Sequence, residues 1–180
     1  ENITVTEGGI DRESDDAYRE RIFRAPASFS TAGPAEAYIY WALTANQPII
    51  NVSATSPEPS IAEILPLLKD GVIPGQDILD QVYDVLSDQK VRPLTDRVDV
   101  LAPDAVDYSI DFTYYIRAQD QTSEAEIQRR VDDAVAEYVK WQKGRLGRDV
   151  NPDELVCRVL AAGAKRLEII SPTFVRLESH

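Results

Sequence analysis

The sequence predicts an α+β fold: a ferredoxin-like βαββαβ layer, helices on an antiparallel sheet, preceded by two helices and an extra strand. Three observations predict it. From Ile61 onward the periodicities run strand, helix, strand, strand, helix, short helix, strand, the order of that layer. Residues 107–116 alternate with period two, Tyr108, Ile110, Phe112, Tyr114 and Ile116 against Asp107, Ser109, Asp111, Thr113 and Tyr115. Such alternation gives a strand one packed face and one wet or partnered face. Finally, 180 residues with 43% apolar and 28% charged side chains suffice for one domain, or one domain with a smaller appendage.

Taken in order, Ser14 followed by Asp15 and Asp16 sets a cap and two carboxylates at a helix N-terminus, where unpaired amides and the helix dipole favour them. This helix runs to Ala25 and stops before Pro26. Its apolar side is thin, Tyr18, Ile22 and Phe23, while Arg12, Arg19, Arg21 and Arg24 make it the most basic segment of the chain. A second helix starts around Pro34, which suits a first turn because its missing N–H costs nothing there. Tyr38, Trp41, Ala42 and Ala45 fall on one stripe of it, with Ile39 and Tyr40 off the stripe. The stripe packs either on the sheet domain or inside a small subdomain. The chain accordingly divides into an N-terminal helical segment, residues 1–48, and an α+β sheet domain, residues 49–180.

After Gln47-Pro48 come two β-rich runs, Ile49–Thr55 and Ile61–Leu68, around a Pro57-Glu58-Pro59 turn, consistent with a hairpin. Pro66 lacks an amide for a central ladder, so the second run either ends near Leu65 or bulges there. A turn from Asp70-Gly71 to Pro74-Gly75 leads to a helix buried through Ile78, Leu79, Val82, Val85 and Leu86. Asp77, Asp80, Asp84 and Asp88 form its solvated face. Arg92-Pro93 ends it, and residues 97–102 form a strand before the alternating stretch. Ser123 with Glu126 is a capping box that opens a helix carrying Ile127, Val131, Ala134, Val135, Tyr138 and Val139 on one side. Asn151-Pro152-Asp153-Glu154 repeats the device for a shorter helix through Leu160, and Arg166–Ser171 forms the last strand.

Composition bounds the chemistry. Acidic residues outnumber basic ones by 31 to 19, a formal charge of −12. Such a field repels phosphate and argues against direct contact with nucleic acid or an anionic membrane surface. No apolar run approaches the ~20 residues of a membrane span, so membrane insertion is not expected. The only histidine is His180, which nearly removes imidazole-based triads and metal sites. Cys157 cannot form an internal disulfide, fits a cytosolic origin, and reads as a buried structural thiol beside Val156, Val159 and Leu160. No phosphate-binding glycine motif is present, and Gly144-Arg145-Leu146-Gly147-Arg148 reads as a helix end and a turn. No cofactor is expected. Asp104, Asp107 and Asp111 are the best pair-forming carboxylates for acid/base work, and exposed strand carboxylates are the preferred reading of them. With no Met anywhere, the chain reads as a piece of a larger protein.

Three separated blocks carry a family resemblance. Gly8-Gly9 followed by Glu13-Ser14-Asp15-Asp16-Ala17-Tyr18-Arg19-Glu20-Arg21-Ile22, then Thr31-Ala32-Gly33-Pro34 with Tyr38, Tyr40 and Trp41, resembles the baseplate J-like family of contractile phage tails. Val91-Arg92-Pro93-Leu94-Thr95-Asp96 with the strand at 108–116 is similar to the family's next block, and Ile169-Ile170-Ser171-Pro172 to its end. The resemblance implies a structural, non-enzymatic wedge subunit, made in a bacterial host's cytoplasm and placed in the tail baseplate of a phage, prophage or related injection machine. It also implies contacts with other wedge proteins and with a copy of itself, in virion assembly and sheath triggering. Relative to the family's full length, an upstream segment is missing.

Tyr18, Arg19, Arg21, Tyr38 and Trp41 are the expected contact residues, since large aromatics and arginines dominate protein interfaces. For Tyr38 and Trp41 an ordinary place in the core remains open, and for the arginines local ion pairs with Asp15, Asp16 and Glu20. A ferredoxin-like regulatory module that binds a small molecule is the alternative function.

Overall fold

Residues 14–26, 34–117 and 124–177 are described by the computed structural model. Gly8-Gly9, Arg12, the Thr31-to-Gly33 block, the Ser123 cap and His180 lie outside them. The elements are α1 (Asp15–Arg24), α2 (Ala35–Ala45), β1 (Ile49–Thr55), β2 (Ile61–Leu68), α3 (Gln76–Ser87), β3 (Arg97–Val100), β4 (Asp111–Tyr115), α4 (Glu124–Lys143), α5 (Pro152–Ala161) and β5 (Arg166–Ser171). This is an α+β fold, as the sequence predicts.

β1 and β2 form the expected antiparallel hairpin, with Thr55 opposite Glu63 and Ile49 opposite Leu68. β2 does not stop at Pro66. That residue pairs with Val52, and the register shift sits in β1 between Ile49 and Asn51 instead. The reason lies on the other side of β2. β3 pairs parallel to β2 only from Ile61 opposite Arg97 to Ile64 opposite Val100. Pro66 lies beyond that ladder, where β2 has become an edge and a missing amide breaks no pairing.

The strands expected in a single ferredoxin-like layer divide between two sheets, β1-β2-β3 and β4-β5. After Val100 the Leu101 amide makes a last bond to the Ile64 carbonyl at 3.0 Å, and the chain then runs outside both ladders through residues 102–110, with Pro103 buried in this stretch. β4 is carried away from β3 and pairs antiparallel with β5 alone, Phe112 opposite Ile169 and Tyr114 opposite Leu167. The period-two alternation nevertheless holds beyond the ladder, because Tyr108, Ile110, Phe112, Tyr114 and Ile116 all turn inward. Side-chain direction follows extended backbone and needs no hydrogen-bonded neighbour.

Two hydrophobic cores result. In the first, Tyr38 and Ala42 of α2 and Val82 and Leu86 of α3 pack on Val52, Ala62, Ile64 and Val98 of the three-stranded sheet. The α2 stripe therefore covers the sheet. In the second, Ile127, Val131 and Tyr138 of α4 and Leu155 and Val159 of α5 pack against the inward residues of β4 and β5. α5 opens as expected: the Asn151 side chain accepts from the Asp153 amide at 3.0 Å, with Pro152 in the first turn. Beside this core, Arg148 lies 4.2 Å over the Trp141 ring and Arg158 lies 5.5 Å from it. Burial, with Arg145 and Arg158 nearby, holds Arg148 below the usual guanidinium range.

Cys157 corrects the sequence reading, since it is exposed. Leu155 and Val159, both fully buried, fix the inner face of α5 at i and i+4. A residue midway between them is turned by about 200° from each, at ~100° per residue, and faces outward.

Candidate partner-binding surface

α1 is the least covered helix of the described residues. Its neighbour is α2, and Arg24 pins the two together through Glu36 at 2.6 Å while also holding Glu20 at 2.7 Å. The apolar side chains Tyr18, Ile22 and Phe23 are 49%, 52% and 80% exposed. At positions i, i+4 and i+5 they share one side of the helix.

The arginines of α1 are engaged locally. Arg19 pairs with Asp16 at 2.7 Å, and the Arg21 guanidinium carbon lies 5.1 Å from the centre of the Tyr18 ring. Exposed pairs of this kind contribute about 0–1 kcal/mol. They neutralise the helix rather than anchor it, and they leave Tyr18, Ile22 and Phe23 as an apolar patch edged by balanced charge.

Of the five expected contact residues, the structure brings Tyr18, Arg19 and Arg21 together on the exposed face of α1 and places Tyr38 elsewhere. Tyr38 is 4% exposed, and its hydroxyl donates to Asp96 Oδ2 at 2.8 Å. Burial, then the Asp96 carboxylate that accepts its proton, pushes the phenol well above its ordinary range. Trp41 is half-buried at the margin of the first core, edge-to-face with Tyr40 at 5.3 Å between ring centres. Phe23, absent from the five, is the most exposed aromatic side chain of α1. Its position next to Ile22 and four residues after Arg19 was the signal in the sequence.

Other groups singled out by the sequence do not converge. Asp104, Asp107 and Asp111 are exposed, and only Asp111 lies in the ladder. Among the described residues there is no group of three His, Cys, Asp or Glu side chains able to hold a metal ion, and no helix long and apolar enough to cross a membrane. Asp77, Asp80 and Asp84 lie on the solvated side of α3, and Asp88 is exposed just past its end. A cavity of about 150 Å³ adjoins the Tyr38–Asp96 pair, bordered by Thr55, Ser56 and Ser60.

Residues 30–102 match the family described as the baseplate J-like central domain. This span contains α2, β1, β2, α3 and β3, the elements built around the first core. The chain is also 31% identical over 161 residues to baseplate protein J of Escherichia phage P2, an alignment covering 89% of this chain and 52% of that protein. It thus spans about half the length of the curated relative it matches. The domain match and the P2 relative point to the same family, and the chain is similar to the baseplate J-like proteins.

Proposed function

We propose that this chain is part of a structural subunit of a contractile tail baseplate, a wedge component that acts through protein–protein contacts in virion assembly and in triggering of the sheath. The similarity to baseplate protein J of phage P2, extending over nearly all of this chain, carries the reading. In this role the protein sits in the baseplate of a phage, prophage or related particle, and its partners are other wedge proteins and further copies of itself.

The exposed face of α1 supports the reading in physical terms. Tyr18, Ile22 and Phe23 present apolar area that the described chain leaves open, and a well-packed aromatic anchor is worth about 2 kcal/mol or more at an interface centre. Arg19 and Arg21 form the polar margin. The work of the subunit is then mechanical and needs no reacting group.

Co-expression of the full-length protein with its neighbouring tail gene products, followed by affinity capture, tests this. The expected result is recovery of tail proteins in stoichiometric amounts, reduced by Tyr18→Ser with Phe23→Ser while the melting temperature stays unchanged. Recovery of the full-length protein alone, together with its absence from purified particles, would refute the proposal.

A further inference from the structure

The two cores have no residue in common. They meet chiefly where the C-terminal end of α4 reaches the turn Lys69–Gly71. Gly71 sits there at φ +73, so close that a Cβ on it would stand 2.4 Å from Lys143 Cβ. One hydrogen bond crosses nearby, from the Leu146 amide to Asn51 Oδ1 of β1 at 3.1 Å. The ion pair of Lys140 with Asp70, at 3.8 Å, is exposed at both ends and adds little.

Between these contacts the junction is not close-packed. A cavity of about 270 Å³ opens there, lined by Leu67 and Ile73 from the first body and by Tyr108, Gln142 and Arg148 from the second. The Tyr108 hydroxyl and Gln142 Oε1 are buried without a hydrogen-bond partner among the described residues. The covalent link is residues 102–110, which join no ladder. Relative motion is the default between units unless their interface is large and apolar, and here the cavity with its two orphaned polar groups interrupts the apolar surface contributed by Leu67 and Val150.

We propose that the chain contains an articulated joint: the first body rotates on the second about the Gly71–Lys143 contact, and the Asn51–Leu146 hydrogen bond is its latch. A side-chain acceptor holding one loop amide is a bond that opens without disturbing either core, so each body moves as a unit. The segment 102–110 absorbs the change because no ladder is broken when it bends. This joint does not depend on the baseplate reading, and it gives the chain a means of passing rotation from the α2 end to the β4-β5 end.

Pulsed electron–electron distance measurements on the 180-residue chain test it. One nitroxide is placed on Cys157, exposed on α5, and one on Asp84→Cys, exposed on α3. A control pair within the first body uses Asp84→Cys with Glu58→Cys in a Cys157→Ser background. Asn51→Ala is expected to broaden the distribution between the bodies and shift its mean, while the control pair keeps its single narrow peak. Asn51→Asp, which retains an acceptor oxygen at the same place, is expected to restore the parent distribution. An unchanged distribution between the bodies in Asn51→Ala overturns the joint, and so does equal broadening of the control pair, which would mean that the first body itself had loosened.

Discussion

The Tyr38 hydroxyl donates across 2.8 Å to the Asp96 carboxylate, tying α2 to the residue that immediately precedes β3. The two lie 58 residues apart in sequence. The pair closes one side of the first core, with Arg92 bonded to the Asp96 carbonyl at 2.7 Å. Tyr38→Phe keeps the ring and removes the bond, leaving a partly buried carboxylate short of one donor. We expect a loss of about 1–2 kcal/mol, in the range for a hydrogen bond to a charged group. Tyr38→Ala also removes the ring, with an expected loss of about 3–5 kcal/mol. Urea unfolding monitored by tryptophan fluorescence measures both. Equal losses in the two variants would mean that the bond, and not the ring, carries the whole effect.

A second expectation concerns alkaline stability. Burial raises the Tyr138 phenol from 10.0 to about 12, with smaller contributions from Tyr108 and Glu154, and Tyr38 shifts in the same direction. The folded state thus holds protons that the unfolded chain releases. For such a group the stabilisation is complete below the unfolded value near 10 and is lost as pH rises toward the folded value. The unfolding free energy should fall between pH 10 and about 12. Tyr138→Phe, which cannot ionise, should flatten that decline while costing some stability at neutral pH through the lost bond to the Asn151 carbonyl at 3.2 Å. Denaturant midpoints measured across this pH window check the slope, and an identical slope in the variant would refute the assignment.

What the sequence made legible is local. The β1-β2 hairpin, the α3 stripe and the inward row from Tyr108 to Ile116 follow from side-chain periodicity, which is set by the backbone of each segment alone. The asparagine cap and proline of α5 are legible for the same reason. Sheet membership was not, because β4 and β3 have no mark saying that they part company. That depends on the path of residues 102–110 through space. The candidate surface was half legible: α1 showed its thin apolar side in the sequence, whereas the burial of Tyr38 depends on a carboxylate 58 residues away. For Cys157 the apolar neighbours Val156 and Leu160 misled, because helix phase, fixed by Leu155 and Val159, outweighs adjacency.

The exposed thiol leads to the third expectation. Cys157→Ser changes neither packing nor a hydrogen bond among the described residues, and surface substitutions of this kind stay within about 0.5 kcal/mol. Leu155→Ala, two residues earlier and on the inner face, should cost about 2–5 kcal/mol. Chemical denaturation separates the two. In the native state Cys157 should also react with a maleimide at the rate of a free thiol, and protection until unfolding would contradict its outward position.

The last expectation bears on Gly71. Two constraints act on this residue together: φ of +73, which side chains with a Cβ rarely adopt, and a Cβ site 2.4 Å from Lys143 Cβ and 2.8 Å from the Lys143 carbonyl oxygen. Either alone would disfavour substitution. With both present, Gly71→Ala must rotate the Lys69–Gly71 turn or displace the end of α4, and we expect a loss of about 1–3 kcal/mol, the scale of local backbone strain plus overpacking. Gly144, whose added Cβ would meet nothing closer than 3.3 Å, serves as the comparison and should lose less as Ala. Thermal unfolding of the two variants side by side tests this. If Gly71→Ala were as stable as the parent, the close approach of the turn to α4 would have to be relaxed in solution.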